Sequence, residues 1–235
     1  MNLLEMCGVG IGYRNRVVIE NLDFRMPAGE LAALIGPNGC GKSTLLRAIV
    51  GESVNRTGVI RHNNEDISAL ATDRIVVRGI GYLKQSRNVF PSLTVGENLS
   101  LATMERRTGD QSRHRRVMAA FPAMTEKRGL RAGLLSGGQR QMLAVAMIIS
   151  RPVSLLLLDE PLAGLAQQSA MELLEGLSAL QRQEGFGMLI VEHRLKLVQP
   201  YVSRVVVMNR GAIVVDTEDT SILSDRSRLE EYYAL

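Results

Sequence analysis

"GPNGCGKST", Gly36 to Thr44, decides how this chain is read. It fits the pattern G-x-x-x-x-G-K-[ST] and lies between the apolar run "LAALI" and the spaced apolar residues of "STLLRAIVG", a predicted strand and a predicted helix. That context matters because the backbone makes the chemistry. Gly36, Gly39 and Gly41, with Pro37, Asn38 and Cys40 between them, let amide groups close around phosphate oxygens. Lys42 then reaches the β and γ phosphates, Ser43 offers a hydroxyl to Mg²⁺, and Thr44 completes the pattern.

Working outward, the first 35 residues read as short apolar strands separated by turns, and strand-like patterns resume in "TGVIRHNNEDI" and "GIGYLKQ". From about 86 to 134 the chain turns arginine-rich with helical spacing, and Thr94 with Glu97 fits a capping box. This segment is expected to be a helical insert. Beyond it come a helix over about 139–150, the strand "SLLLLD", a helix over about 167–184, the strand "GMLIVEH", and two strands in "RVVVMNRGAIVVD". Strands alternating with helices predict an α/β fold whose parallel sheet is covered on both faces. The expected organisation is one domain over 1–235.

Composition narrows the classes. The 235 residues, 46% of them hydrophobic, suffice for one substantial core. No apolar run approaches the roughly 20 residues of a membrane-spanning helix, and the start does not resemble a secretory signal, so a cytosolic chain is expected. Cys7 and Cys40 are too few for a disulfide framework or a cysteine metal site. A net charge of +4 suits contact with anions without choosing among them. Much of the surplus is local: Arg106, Arg107, Arg113, His114, Arg115, Arg116, Lys127, Arg128 and Arg131. These read as a solvated helical face, and the lack of interleaved aromatic residues weighs against nucleic acid.

Two further stretches carry chemistry. In "LLLLDEP" an apolar strand delivers Asp159 and Glu160 to its carboxyl end, the ligand-binding edge of an open α/β sheet. Alone, such a pair is usually a turn or a helix cap. Beside a phosphate loop, Asp159 becomes a magnesium ligand through the Ser43 side of the shell, and Glu160 a base for the attacking water. "LLSGGQRQML" sets Ser136, Gly137, Gly138 and Gln139 at a helix start, a second arrangement suited to an anion.

The phosphate loop, Gln85, "LSGGQ", "LLLLDEP" and His193, in that order, closely resemble the ATP-binding subunit of ABC transporters. "GIGYLKQSRNVFPSLTVGENLSLA" and "DEPLAGLA" most resemble the ATPases of branched-chain amino acid and urea importers. The resemblance implies a phosphate-loop, RecA-like ATPase core with an N-terminal antiparallel β subdomain and a helical insert. It also implies two chains packed head to tail, so that Ser136 to Gln139 of one cover the ATP held by the other. Gln85 would sense the γ-phosphate and magnesium, and His193 would hold the γ-phosphate and the water. Tyr13 would stack on adenine; the alternative reading is a strand tyrosine packed on the core. Cys40 is either a thiol activated by the loop dipoles or a spacer.

The implied partners are membrane-spanning permease subunits, a second ATPase chain, identical or paralogous, and, indirectly, a solute-binding protein. The place of work would be the cytoplasmic face of the membrane. Ala166 departs from the aspartate common in the family, and Lys84 from the proline often found before the glutamine. The rivals are a soluble ABC ATPase acting on ribosomes or DNA and a module that binds ATP without turnover. The latter is disfavoured because Lys42, Asp159, Glu160 and His193 are all present.

Overall fold

The computed structural model describes residues 2–14, 16–52, 55–86, 88–103 and 111–234. The chain opens with β1 (Asn2–Tyr13), β2 (Arg16–Pro27), β3 (Leu31–Ile35) and α1 (Lys42–Ile49). Then come β4 (Asn55–His62), β5 (Glu65–Asp66), α2 (Thr72–Val76) and β6 (Ile80–Leu83). The helices α3 (Val95–Thr103), α4 (Gln111–Ala120), α5 (Pro122–Glu126) and α6 (Gly137–Ile149) precede β7 (Leu155–Asp159), α7 (Gln167–Glu184) and β8 (Gly187–Val191). The chain closes with α8 (Leu195–Val198), β9 (Arg204–Asn209), β10 (Ala212–Thr217) and α9 (Arg226–Ala234).

Strands β2, β1, β4 and β5 form an antiparallel sheet, and a larger sheet runs in the order β10, β9, β3, β8, β7, β6. From β9 to β6 every pair in it is parallel, while β10 is an antiparallel edge. Alternate strand residues serve two cores. Ile35, Leu156, Leu158, Ile190 and Val207 face the helices, whereas Leu34, Leu155, Leu157, Val191 and Met208 face α1 and the smaller sheet. Burial on both faces demands apolar residues at consecutive positions, which is why "LLLL" and "VVVM" have no polar break. Parallel pairing also brings the carboxyl ends of β3, β7 and β8 to one edge.

The N-terminal hairpin is longer than the expected short strands, with 12 residues in each arm. Glycines that read as turn signals are absorbed within β1: the register slips between Met6 and Val9, and the Gly8 N–H donates to Asp23 Oδ1 at 2.8 Å.

Helices follow β6 where the insert was expected, and the capping box forms at the start of α3. The Glu97 N–H donates to Thr94 Oγ1 at 3.1 Å and the Thr94 N–H to Glu97 Oε2 at 2.7 Å. Val95, Leu99, Val117, Phe121 and Met124 share one core with α6 and α7. Where α5 approaches α7, a Cβ on Gly176 would lie 2.5 Å from the Phe121 ring, so only glycine allows that contact.

The basic segment is only partly a solvated face. Arg115, Arg128 and Arg131 are exposed, but Arg113 and Arg116 converge on Glu184 at the end of α7. Arg113 and Glu184 keep only 13% and 8% of their side-chain exposure. Arg113 Nη1 also donates to the Ile149 and Arg151 carbonyls at 3.4 and 3.1 Å, closing the end of α6. Local spacing could not reveal a partner 71 residues away. Arg106 and Arg107 lie outside the described residues. Among the described residues no helix is long and apolar enough to cross a membrane.

Candidate active site

The phosphate loop leaves β3 in a turn that crowds against β9. At Gly36, φ is +149° and a Cβ would lie 2.0 Å from the Met208 carbonyl oxygen, so a side chain there is excluded. Helix α1 starts at Lys42 with no side-chain cap and no acidic residue in its first turn. Its first N–H groups are therefore left for an anion. Lys42 is 6% exposed, and its Nζ donates to the Gly36 and Pro37 carbonyls at 2.8 and 2.9 Å. The loop thus holds its own cation over its first residues, where phosphate oxygens can take over from the carbonyls.

Strand β7 brings Asp159 to this loop. Ser43 Oγ donates to Asp159 Oδ1 at 2.9 Å, and the Tyr82 hydroxyl on β6 donates to Oδ2 at 3.3 Å. Asp159 is 2% exposed, and burial pushes its carboxyl above the ordinary value against the opposing pull of those two hydroxyls. A buried carboxylate bonded only to neutral hydroxyls, beside a phosphate loop, suits a hard divalent cation. Ser43 and Asp159 therefore fit one. Among the described residues no group of three or more His, Cys, Asp or Glu assembles a closed metal site, so such an ion would take the rest of its shell from phosphates and water.

Glu160 follows at φ +52°, an unfavourable backbone for a residue other than glycine. Its carboxylate lies between Gln85 Nε2, 2.9 Å from Oε2, and His193 Nε2, 3.2 Å from Oε1. Three separate motifs meet there. The turn that carries Gln85 is closed by Asn88, whose side chain accepts from the Lys84 N–H at 3.2 Å and donates to the Lys84 carbonyl at 2.6 Å. Lys84 itself pairs with Glu52 at 2.6 Å, which gives this departure from the family pattern a local role. The Gln85 side chain bonds to Glu160, while Ser43 and Asp159 bond to each other.

Tyr13 lies outside both core clusters, with its hydroxyl 3.3 Å from Thr44 Oγ1 and 3.4 Å from Arg47 Nη1. It flanks the loop instead of filling a core. Cys40 is buried, and burial pushes its thiol up despite Lys42 nearby, so the loop does not activate it and the spacer reading stands. Ser136 and Gln139 form a capping box at 3.2 Å in both directions, and Ser136 and Gly137 are exposed. Among the described residues no hydrogen bond joins 136–139 to 36–44.

Sequence reasoning missed Tyr82, Arg47 and Glu192. The last is 3% exposed and accepts from the N–H groups of Leu162, His193 and Arg194 at 2.6, 2.9 and 3.2 Å. A charged residue at the end of the apolar strand "GMLIV" was the available signal. Ala166 starts α7 with no side-chain cap, but Arg194 Nη1 donates to the Leu165 carbonyl at 2.8 Å. The segment before Ala166 is therefore tied to both neighbours of His193.

Fold and site together define a phosphate-loop ATPase. A family model described as ABC transporter matches residues 19–163. The high-affinity branched-chain amino acid transport ATP-binding protein BraG of Pseudomonas aeruginosa is 32% identical over 98% of this chain and 99% of its own length. The sulfate/thiosulfate import ATP-binding protein CysA 2 of Chromobacterium violaceum is 38% identical over 83% of this chain, which spans 53% of that relative. Among solved structures, the ADP conformation of MJ1267, an ATP-binding cassette of an ABC transporter, matches with TM-score 0.84 at 24% identity, covering 100% of this chain and 99% of that one. The chain belongs to the ABC transporter family, as an ATP-binding ATPase component coupled to transport.

Proposed function

We propose that the chain hydrolyses ATP with Mg²⁺ as the energy-coupling subunit of an importer for an amino acid or a related small polar solute such as urea. Similarity to BraG over almost the whole of both chains supports the solute class. Similarity to a sulfate importer's ATPase indicates that the cassette is shared among solutes, whose choice falls to the membrane partners. Those partners would be permease subunits reached from the cytoplasmic side, supplied in turn by a solute-binding protein. A soluble ATPase acting on ribosomes or DNA has no specific observation in its favour.

In this reading Lys42 and the loop amides hold the β and γ phosphates, and Ser43 and Asp159 would hold Mg²⁺, which when bound would neutralise phosphate charge. Glu160 accepts a proton from water as the water oxygen bonds to the γ-phosphorus. The bond from that phosphorus to the ADP oxygen breaks, and inorganic phosphate leaves. His193 and Gln85 orient the Glu160 carboxylate. Ser136 to Gln139 of a second chain complete the site, so ATP closes the interface and hydrolysis releases it.

The carrying observation is the Glu160 carboxylate held between Gln85 and His193. Glu160→Gln keeps the shape and removes the base. Steady-state turnover should fall about 10²- to 10⁴-fold while nucleotide binding survives, and size-exclusion chromatography with Mg-ATP should show an accumulated dimer. Near wild-type turnover in this variant would remove Glu160 as the base.

A further inference from the structure

Glu192 and Arg194 flank His193, and the hydrolytic scheme uses neither. Both reach the same segment, the loop that runs from Glu160 to the start of α7. Its near end is fixed to β8, with the Glu160 N–H on the Val191 carbonyl at 2.9 Å. Two turns follow: the Ala163 N–H donates to the Glu160 carbonyl and the Leu165 N–H to the Leu162 carbonyl, each at 3.2 Å. Leu162 is fully buried, and its backbone is gripped from both sides. Its N–H donates to Glu192 Oε1 at 2.6 Å, and its carbonyl lies 3.5 Å from Arg194 Nη1. The same nitrogen donates to the Leu165 carbonyl at 2.8 Å.

Glu192 also holds its own turn. Its second oxygen accepts from the His193 and Arg194 N–H groups at 2.9 and 3.2 Å, which fixes the backbone that carries the imidazole. Three consecutive residues therefore meet one loop: Glu192 and Arg194 at Leu162 and Leu165, and His193 at the Glu160 carboxylate. Ala166 opens α7 with no side-chain cap, and the Leu165 carbonyl lies ahead of the helix's first bonded carbonyl, that of Ala166. The hold on this far end comes from Arg194 instead.

We infer that Arg194 is a positioning residue for hydrolysis: with Glu192 it locks the Glu160–Leu165 loop to the end of β8, and so sets the distance at which His193 meets the Glu160 carboxylate. The reason is the backbone at Glu160. A residue other than glycine at φ +52° is kept there by its surroundings, and the direction of its carboxylate follows the turn that comes after it. A guanidinium suits the hold, since it is always charged and its bonds to carbonyls are of the stronger, charge-assisted kind. Loosening the loop moves the base away from its imidazole without touching the groups that bind phosphate.

This inference rests on Glu160 and His193 acting on water in the proposed ATPase, and the test keeps the two apart. In the full chain, Arg194→Met keeps the apolar stem and removes the donors. Its kcat should fall about tenfold, the worth of one hydrogen bond to a charged group, with Kd for Mg-ATP within about twofold. Arg194→Lys, which returns a cation, should recover part of the loss. In a His193→Ala background, Arg194→Met should cost less than about twofold more, because the clamp acts through His193. A second readout needs no turnover. The chain has three histidines, His62, His114 and His193, and in NMR spectra of the nucleotide-free chain Arg194→Met should shift the His193 ring signal alone. Wild-type kcat in folded Arg194→Met, the same loss in both backgrounds, or an unmoved His193 signal would overturn the inference. Should Arg194→Met not fold, Arg194→Gln, whose side chain is too short to reach Leu165, is read by the same criteria. A wild-type chain that hydrolyses no ATP would instead overturn the functional reading.

Discussion

His193 Nε2 lies 3.2 Å from Glu160 Oε1, and Gln85 Nε2 occupies the other carboxylate oxygen at 2.9 Å. The carboxylate is thereby oriented from two sides by groups that reach it from different strands. His193→Ala should lower turnover about 10- to 100-fold, the range of one hydrogen bond to a charged group. In a double variant with Glu160→Gln it should add little, because both residues act on one proton transfer. Fully additive losses in steady-state assays would mean that His193 works independently of Glu160.

Under the proposed head-to-tail arrangement, in which the capping box at 136–139 serves the site of a second chain, Ser136→Arg should spare nucleotide binding by the single chain and abolish cooperative hydrolysis. Mixing Ser136→Arg chains with Lys42→Ala chains leaves at most one intact composite site per mixed dimer. Hydrolysis should exceed that of either variant alone. No recovery on mixing, with dimers formed, would rule against head-to-tail sharing.

Burial sets the Asp159 carboxyl above its ordinary value, so the folded chain binds that proton more tightly than the unfolded one does. Stability then falls as pH rises through the window between the two values, and at neutral pH the ionised group costs stability in the nucleotide-free chain. Asp159→Asn should raise Tm at pH 7.5 by about 2–4 °C, the equivalent of about 1 kcal/mol for a chain of this size. The gap should narrow as pH is lowered, and Mg-dependent hydrolysis should be lost. A lower Tm in the variant at neutral pH, measured by calorimetry, would show that the Ser43 and Tyr82 bonds outweigh burial.

Phe90 is 53% exposed and Leu101 42%, and both line a cavity of about 370 Å³ with Tyr82, Met147, Ile148 and Arg151. This groove beside the Gln85 turn is where the membrane partner is expected to dock. Phe90→Glu should keep the ATPase activity of the isolated chain and lose co-fractionation with permease-containing membranes. Leu93 is a poorer probe: it is half-buried, and its carbonyl accepts from the Ala132 N–H at 2.8 Å. Undiminished membrane association and transport in folded Phe90→Glu would remove this surface from the interface.

The sequence by itself determined the strand–loop–helix around Gly36–Thr44, the buried strands "LLLL" and "VVVM", and the residues Lys42, Ser43, Asp159 and Glu160. Those features are local: glycine spacing, apolar runs and a capping box are written in contiguous residues, and backbone physics converts them directly into structure. Tertiary structure alone decided the contacts between distant segments. It took Arg113 out of solvent to meet Glu184, brought Gln85 and His193 to Glu160, and made a buried anchor of Glu192. Periodicity places a side chain on a face of its own element, but a partner far along the chain is chosen by how the elements pack. That choice depends on sheet order and burial, which no short stretch of sequence carries.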